Sequence, residues 1–173
     1  MNLGTIIIGA IAVAICFLPF FLMNSGKKKR DRQLIQSLND FAAKSNCSIS
    51  KTDIWYNAAI GLDEKNKVLF FLKKENDKES IKEIKLSEIQ NAKILKNSKP
   101  YGKKNNESIL IEHIGLALSS GDKNKPDIVL TFYSSISNRQ IHTEFQLAEK
   151  WEKNVNICLQ SKNREGQVMS AFM

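Results

Sequence analysis

Residues 3–23 contain no Asp, Glu, Lys, Arg or His, and nothing constrains this chain more than that. At 1.5 Å rise per residue a helix of this length reaches roughly 31 Å, the thickness of a bilayer's hydrocarbon core. The run therefore predicts a membrane-spanning helix. A cleaved secretory signal is the rival reading, since "AIAVA" at 10–14 imitates a small-residue cleavage site. Signal peptides carry their positive charge ahead of the apolar stretch, whereas Lys27, Lys28, Lys29, Arg30 and Arg32 all follow it here. That asymmetry favours a retained anchor with its amino terminus outside and everything after Asn24 in the cytoplasm. The expected location is a membrane crossed once, with the domain on its cytoplasmic side. Pro19 removes one backbone donor near the inner end of the span. Ala10 and Ala14 give a small-xxx-small spacing that would let two such helices approach in a homo-oligomer.

About 150 residues remain, enough for one hydrophobic core. The formal charge of +8 divides evenly, half in residues 27–32 and half in all the rest, so the folded part is only mildly basic. The cations are 22 Lys and 4 Arg. Nucleic-acid readers favour Arg for bidentate phosphate contacts, so this mix excludes a specific nucleic-acid partner and suits solubility and nonspecific electrostatics. Cys16 lies in the span, and Cys47 and Cys158 lie far apart in a reducing compartment, so no disulfide framework is expected. His113 and His142 have no partner at metal-ligand spacing, and no metal or cofactor is implied.

Beyond the breaker "NSG" at 24–26, "RDRQLIQSLNDFAAKSN" repeats Leu34, Ile35, Leu38, Phe41 and Ala42 at helical spacing. Two dockings suit this stripe: against the following domain, which we favour, or on the bilayer with the basic cluster over anionic headgroups. The texture then turns to short β-like runs at 49–56, 58–62, 67–73, 80–86, 92–96, 109–118 and 127–133. "LDEKNKV" has the composition of a hairpin turn, with Asp63 and Asn66 suited to local backbone bonds. In "ILIEHIGLALSS" the apolar residues Leu110, Ile114, Leu116 and Leu118 alternate, and Gly115 marks a bulge or a close approach. Ser119 and Ser120 are read as turn residues. "KNSKPYGKKNNES" is read as a loop, because Pro100 and Gly102 oppose regular structure; with Lys93 just ahead of it, Lys96, Lys99, Lys103 and Lys104 make it a candidate headgroup-facing segment.

A second helix closes the chain. Thr143 followed by Gln146 makes a capping-box pattern, and Leu147, Ala148, Trp151, Val155, Cys158 and Leu159 form one apolar face. Trp151, Leu147 and Val155, with Leu116 and Phe132 from the strands, are the expected core. The domain is bounded at 47–162, following a juxtamembrane segment at 24–46, and residues 163–173 read as a flexible tail.

Seven antiparallel strands followed by one amphipathic helix with a central tryptophan resemble the pleckstrin-homology superfold over 49–162. The resemblance implies an α+β arrangement: after the transmembrane helix, a mainly antiparallel open barrel of two nearly orthogonal sheets, one end plugged by the C-terminal helix with Trp151 of "FQLAEKW" at its centre. The stretches "IWYNAAIGLDEKNKVLFFLKK" and "LTFYSS…EFQLAEKW" also resemble small membrane-anchored proteins of Bacteroidetes. Lipid-binding members of the superfold carry a basic signature across the first inter-strand loop. The matching "YNAAIG" has none, so specific phosphoinositide recognition is not implied.

No GxSxG, HExxH or P-loop pattern occurs. Glu112 and His113 are adjacent on a predicted strand and so point to opposite faces, which separates the one tempting acid–base pair. The leading expectation is a non-enzymatic interaction module tethered to the membrane and holding a protein partner; a peripheral reader of anionic lipid comes second, and an enzyme with an unrecognised site third.

Overall fold

The computed structural model describes residue 26 and residues 28–75, 78–101, 108–122, 125–136, 141 and 143–171. The expected span at 3–23 lies outside them, as do Lys27, Lys103 and Lys104. Among the described residues no helix is long and apolar enough to cross a membrane. Helix α1 covers 28–44. Seven strands follow: β1 Lys51–Trp55, β2 Ala58–Asp63, β3 Val68–Glu75, β4 Lys78–Lys85, β5 Ile89–Tyr101, β6 Ser108–Ser120 and β7 Ile128–Ser134. A 3-10 turn, Leu86–Glu88, links β4 to β5, and helix α2, Glu144–Ala171, completes the chain. The architecture is α+β, with two antiparallel sheets ordered β1-β2-β3-β4 and β5-β6-β7.

β2 and β3 are nearly continuous apolar runs because both of their faces are covered. Ile60, Leu62, Leu69 and Phe71 point inward, where they meet Leu116, Leu118, Leu130 and Phe132 of the second sheet and Trp151 and Val155 of α2. Ala59, Val68, Phe70 and Leu72 point outward and are covered by Leu34, Leu38 and Ala42 of α1. The stripe on the first helix is thus spent on the domain. Gly61 makes this approach possible: a Cβ there would lie 2.8 Å from Ile49 Cδ1 and 3.0 Å from Leu38 Cδ2, below ordinary van der Waals contact.

α2 begins at Glu144, directly after Thr143, and the Leu147 amide donates to the Thr143 carbonyl at 2.9 Å. Trp151 is fully buried, and its indole N–H donates to Asp53 Oδ2 at 2.9 Å while Lys150 Nζ pairs with the same carboxylate at 2.7 Å. Leu147 is only partly buried at the rim of this core. α2 also covers the open edge of β5. The Asn156 side chain accepts from the Ala92 amide at 3.1 Å and donates to the Ala92 carbonyl at 2.9 Å, and Glu152 Oε1 accepts from the Ile94 amide at 3.3 Å. Side chains of a helix take the place of a neighbouring strand there.

Three expectations are corrected. β5 does not stop at Lys96 but runs to Tyr101, pairing Lys99 with Leu110 and Pro100 with Ile109. β5 is an edge strand, so Pro100 can take a place in the ladder without depriving a second neighbour of a donor. Ser119 and Ser120 belong to β6, opposite Asn91 and Ile89, rather than to a turn. α2 continues past Lys162 through Ala171; Gly166 is the poorest helix former on that stretch, at about 1 kcal/mol relative to Ala. The bulge at Gly115 is where alternation placed it: the register with β7 shifts between Ile114 and Gly115, and a Cβ would sit 3.2 Å from the Leu130 carbonyl oxygen.

Candidate functional site

The two ends of the four-stranded sheet are built differently, and α1 relates them to the start of the chain. At one end Asp63 closes the β2–β3 turn. Its carboxylate accepts from the Ser48 amide at 2.7 Å and from the Asn66 amide and side-chain amide at 2.8 Å each. Burial alone would raise its pKa, but these donors together hold the carboxyl below its ordinary value of 3.8. The last turn of α1 is tied to this same end, with Asn66 Nδ2 donating to the Asn46 carbonyl at 3.4 Å and Ser45 Oγ to Glu83 at 2.7 Å.

Leu38 lies over Gly61, midway along β2. Ten residues earlier, about 15 Å along the helix axis, stands Lys28. From Gly61 back to Tyr56 is about 17 Å of strand. With Leu38 over Gly61 and Asn46 tied to Asn66, α1 runs in the same direction as β2, and its first turn, bearing exposed Lys28, Lys29 and Arg32, is directed toward the β1–β2 end of the sheet at Tyr56–Asn57. Arg30 is partly buried, its Nε 3.7 Å from Asp31.

A cleft of about 340 Å³ opens at this second end, lined on one side by Trp55, Tyr56, Phe132 and Ile136 and on the other by Lys73 and Lys74. Its apolar floor comes from residues far apart in sequence. The Trp55 ring stacks on Phe132 with centroids 4.4 Å apart and planes at 5°, and the Trp55 indole N–H donates to the Phe132 carbonyl at 2.9 Å. Two large apolar side chains remain uncovered at the rim: Ile136 is 96% exposed and Tyr56 51%. Tyr56 also has φ 44°, the left-handed region that a bulky residue rarely occupies.

The basic wall has a plain origin. β3 and β4 outrun the core, so their inward alternation, apolar up to Phe71, continues as Lys73 and Glu75 on β3 and Lys78, Ser80 and Lys82 on β4. These side chains line a second groove of about 440 Å³, facing Val129 and Thr131 of β7. Lys73 pairs with Glu75 at 2.6 Å. The His113 ring contacts Thr131 Oγ1 at 3.2 Å, and burial, then the Lys73 charge, push its pKa below 6.5. At neutral pH it is therefore uncharged. The cleft thus sets an aromatic and apolar floor beside Lys73 and Lys74, with Glu75 at its edge neutralising the Lys73 charge.

The lysines expected to make a headgroup loop do not share a surface. Lys93 and Lys96 occupy β5 opposite Ala117 and Ile114, three positions apart, and so lie on opposite faces. The Lys96 ammonium sits 5.5 Å from the centre of the Phe145 ring, and Lys99 pairs with Glu112 at 2.9 Å. Glu112 itself is skipped by the β5 register, which passes from His113 opposite Asn97 to Ile111 opposite Ser98, so simple strand alternation does not hold between Glu112 and His113. Lys103 and Lys104 lie outside the described residues. Among the described residues no group of three or more His, Cys, Asp or Glu side chains is placed to hold a metal ion.

Tyr56, Lys73, Lys74 and Ile136 were not singled out by the sequence. The one local signal was "WYN", an aromatic immediately before an Asn in a turn, where solvent-facing polar residues are the rule. Comparison with models of protein families finds no match, and neither curated proteins nor solved structures yield one.

Proposed function

We propose that this chain is a single-pass, membrane-anchored, non-catalytic interaction module that presents a pleckstrin-homology-like domain to the cytoplasm at the inner membrane and holds a protein partner there. The observation that carries the reading is the docking of α1 on the outer face of the first sheet through Leu34, Leu38 and Ala42. It makes the basic segment after the anchor one body with the domain instead of a loose tether. A domain with the basic helix packed on it carries those cations in a fixed place on its surface, which suits a binding role. The pleckstrin-homology-like reading draws support from four strands followed by three and from a closing helix with Trp151 buried at its centre.

The partner surface we favour is the groove between β4 and β7, two sheet edges with lysines between them. An extended acidic segment pairs with such an edge through its backbone while its side chains meet Lys78 and Lys82. A photo-crosslinking residue at Lys82 of the full chain, irradiated in cells, is expected to give discrete protein adducts that a probe at Ile157 on α2 does not give. Adducts to lipid alone would favour the second reading, a reader of anionic lipid, which the exposed Lys28, Lys29 and Arg32 support. Salt separates the two further, because lysine-driven lipid contact collapses between low and physiological ionic strength whereas a packed protein interface persists.

A further inference from the structure

The anchored reading has a geometric consequence for which part of the domain meets the bilayer. If the span ends at residue 23, the five steps of chain from there to Lys28 reach at most about 18 Å when fully extended, so Lys28 stays within that distance of the membrane. Lys28 begins the end of α1 that is directed toward the Tyr56–Asn57 turn, whereas the other end of the helix, next to the Asn46–Asn66 bond, is about 24 Å away along its axis. Of the four large apolar side chains exposed among the described residues, two, Ile136 at 96% and Tyr56 at 51%, share the rim of the cleft that Lys73, Lys74 and Glu75 also line, whereas Leu110 on β6 and Ile157 on α2 stand apart.

We propose that this end of the domain rests on the surface of an anionic phospholipid bilayer, with Ile136 and the Tyr56 ring in the interfacial layer and Lys73, Lys74, Lys28, Lys29 and Arg32 over the lipid phosphates. The proposal rests on the anchored reading and adds the orientation that reading lacks. The chemistry suits each group. Tyrosine, with an apolar ring and a polar tip, favours the headgroup boundary. A nearly fully exposed isoleucine is unfavourable in water and finds apolar surroundings a few ångströms into the bilayer. The cations flank both of them, as on a membrane-facing surface. Nothing comparable is found at the far end, where Asp63 and Asn66 bond to each other and to the backbone.

The test uses the full chain in vesicles of phosphatidylglycerol and phosphatidylethanolamine. Cys16→Ser and Cys47→Ser remove two thiols, and Cys158 stays because it is buried. Single cysteines at Ile136→Cys, Tyr56→Cys or Asn66→Cys then carry an environment-sensitive fluorophore, read against lipids spin-labelled near the headgroup. Quenching at 136 and 56 is expected to exceed that at 66 by about threefold, with blue-shifted emission at 136 alone or at both, as for a side chain entering the boundary layer. Co-flotation with the vesicles is measured on the same samples. A chain that floats, yet is quenched equally at 66 and 136 or at neither, overturns the orientation and leaves the anchor standing. A chain that fails to float overturns the anchored reading and this orientation with it.

Discussion

The two faces of β2 and β3, the central strands of the first sheet, are both covered, but by different kinds of packing. On the inner face large rings dominate: Trp55, Phe71 and Phe132 lie within 6.4 Å of one another, centre to centre, and Trp151 of α2 is buried in the same cluster. On the outer face the helix contributes Leu34, Leu38 and Ala42, and the approach depends on an absent side chain at Gly61. The inner face joins β1 to β7 and α2 across most of the sequence, so it makes the fold. The outer face joins the sheet to the segment just before it, so it fixes how the fold is carried. One sheet thus separates the energetics of folding from the geometry of attachment.

Trp151→Ala should be the most damaging change. Truncating a fully buried tryptophan costs about 3–5 kcal/mol, a large part of the 5–15 kcal/mol that holds a typical domain together. It also leaves Asp53 without its indole donor. Chemical denaturation should show the midpoint collapse or the transition vanish. A variant that melts within a few degrees of the parent would mean α2 does not close the inner core, and the contrast between the faces would lose its stronger side.

Leu38→Ala should cost about 2–4 kcal/mol by the same cavity argument, but at the outer face. The expected signature is local: faster tryptic cleavage at Lys44 under conditions where tryptophan emission from the inner core is unchanged. If cleavage and emission change together in one transition, the two faces form a single cooperative unit and the separation drawn above fails.

Much of this contrast was legible in the sequence, and the failures have physical causes. The α1 stripe, the Asp63–Asn66 turn, the Gly115 bulge and the Trp151 face depend on contacts within a few residues or on strict periodicity, and all four are in the structure. The spacing ends β5 early because Ser98 to Tyr101 pair with β6 beyond the last residue of β7 and have no apolar alternation to betray them. The cleft was illegible for another reason. It exists only because Trp55 stacks on Phe132, 77 residues away, which brings a turn, a strand and the end of β7 to one rim. No local pattern encodes that juxtaposition.

Asp63→Asn probes the closed end of the sheet. The amide keeps one acceptor but turns an N–H toward donors that faced a carboxylate, at a cost of about 1–3 kcal/mol. The parent protein should show a matching pH dependence. Because the folded-state pKa lies below the unfolded value of 3.8, the unfolded chain takes up a proton first on acidification. The stabilisation is complete above that value and is lost as pH falls through the folded pKa. Denaturation midpoints of parent and variant should therefore converge below about pH 4; parallel curves down to low pH would show that the donors around Asp63 do not favour its ionised form.

Ile136→Ser should have the smallest effect on the fold and bears most directly on attachment. A side chain 96% exposed contributes to neither face of the sheet, so its truncation should move the denaturation midpoint by no more than about 0.5 kcal/mol. If the near end of the domain meets the bilayer, the same change should lower spin-label quenching of a fluorophore at Asn57→Cys, which leaves Tyr56 in place, by about half, since one of two apolar contacts with the boundary layer is gone. Unchanged stability with weakened quenching would assign Ile136 to the membrane. Unchanged stability with unchanged quenching would leave Tyr56 and the lysines to hold that end alone, while a marked loss of stability would mean that Ile136 packs against the domain after all. The variant thus asks of one residue what the two faces ask of the sheet, whether a side chain serves the fold or its attachment.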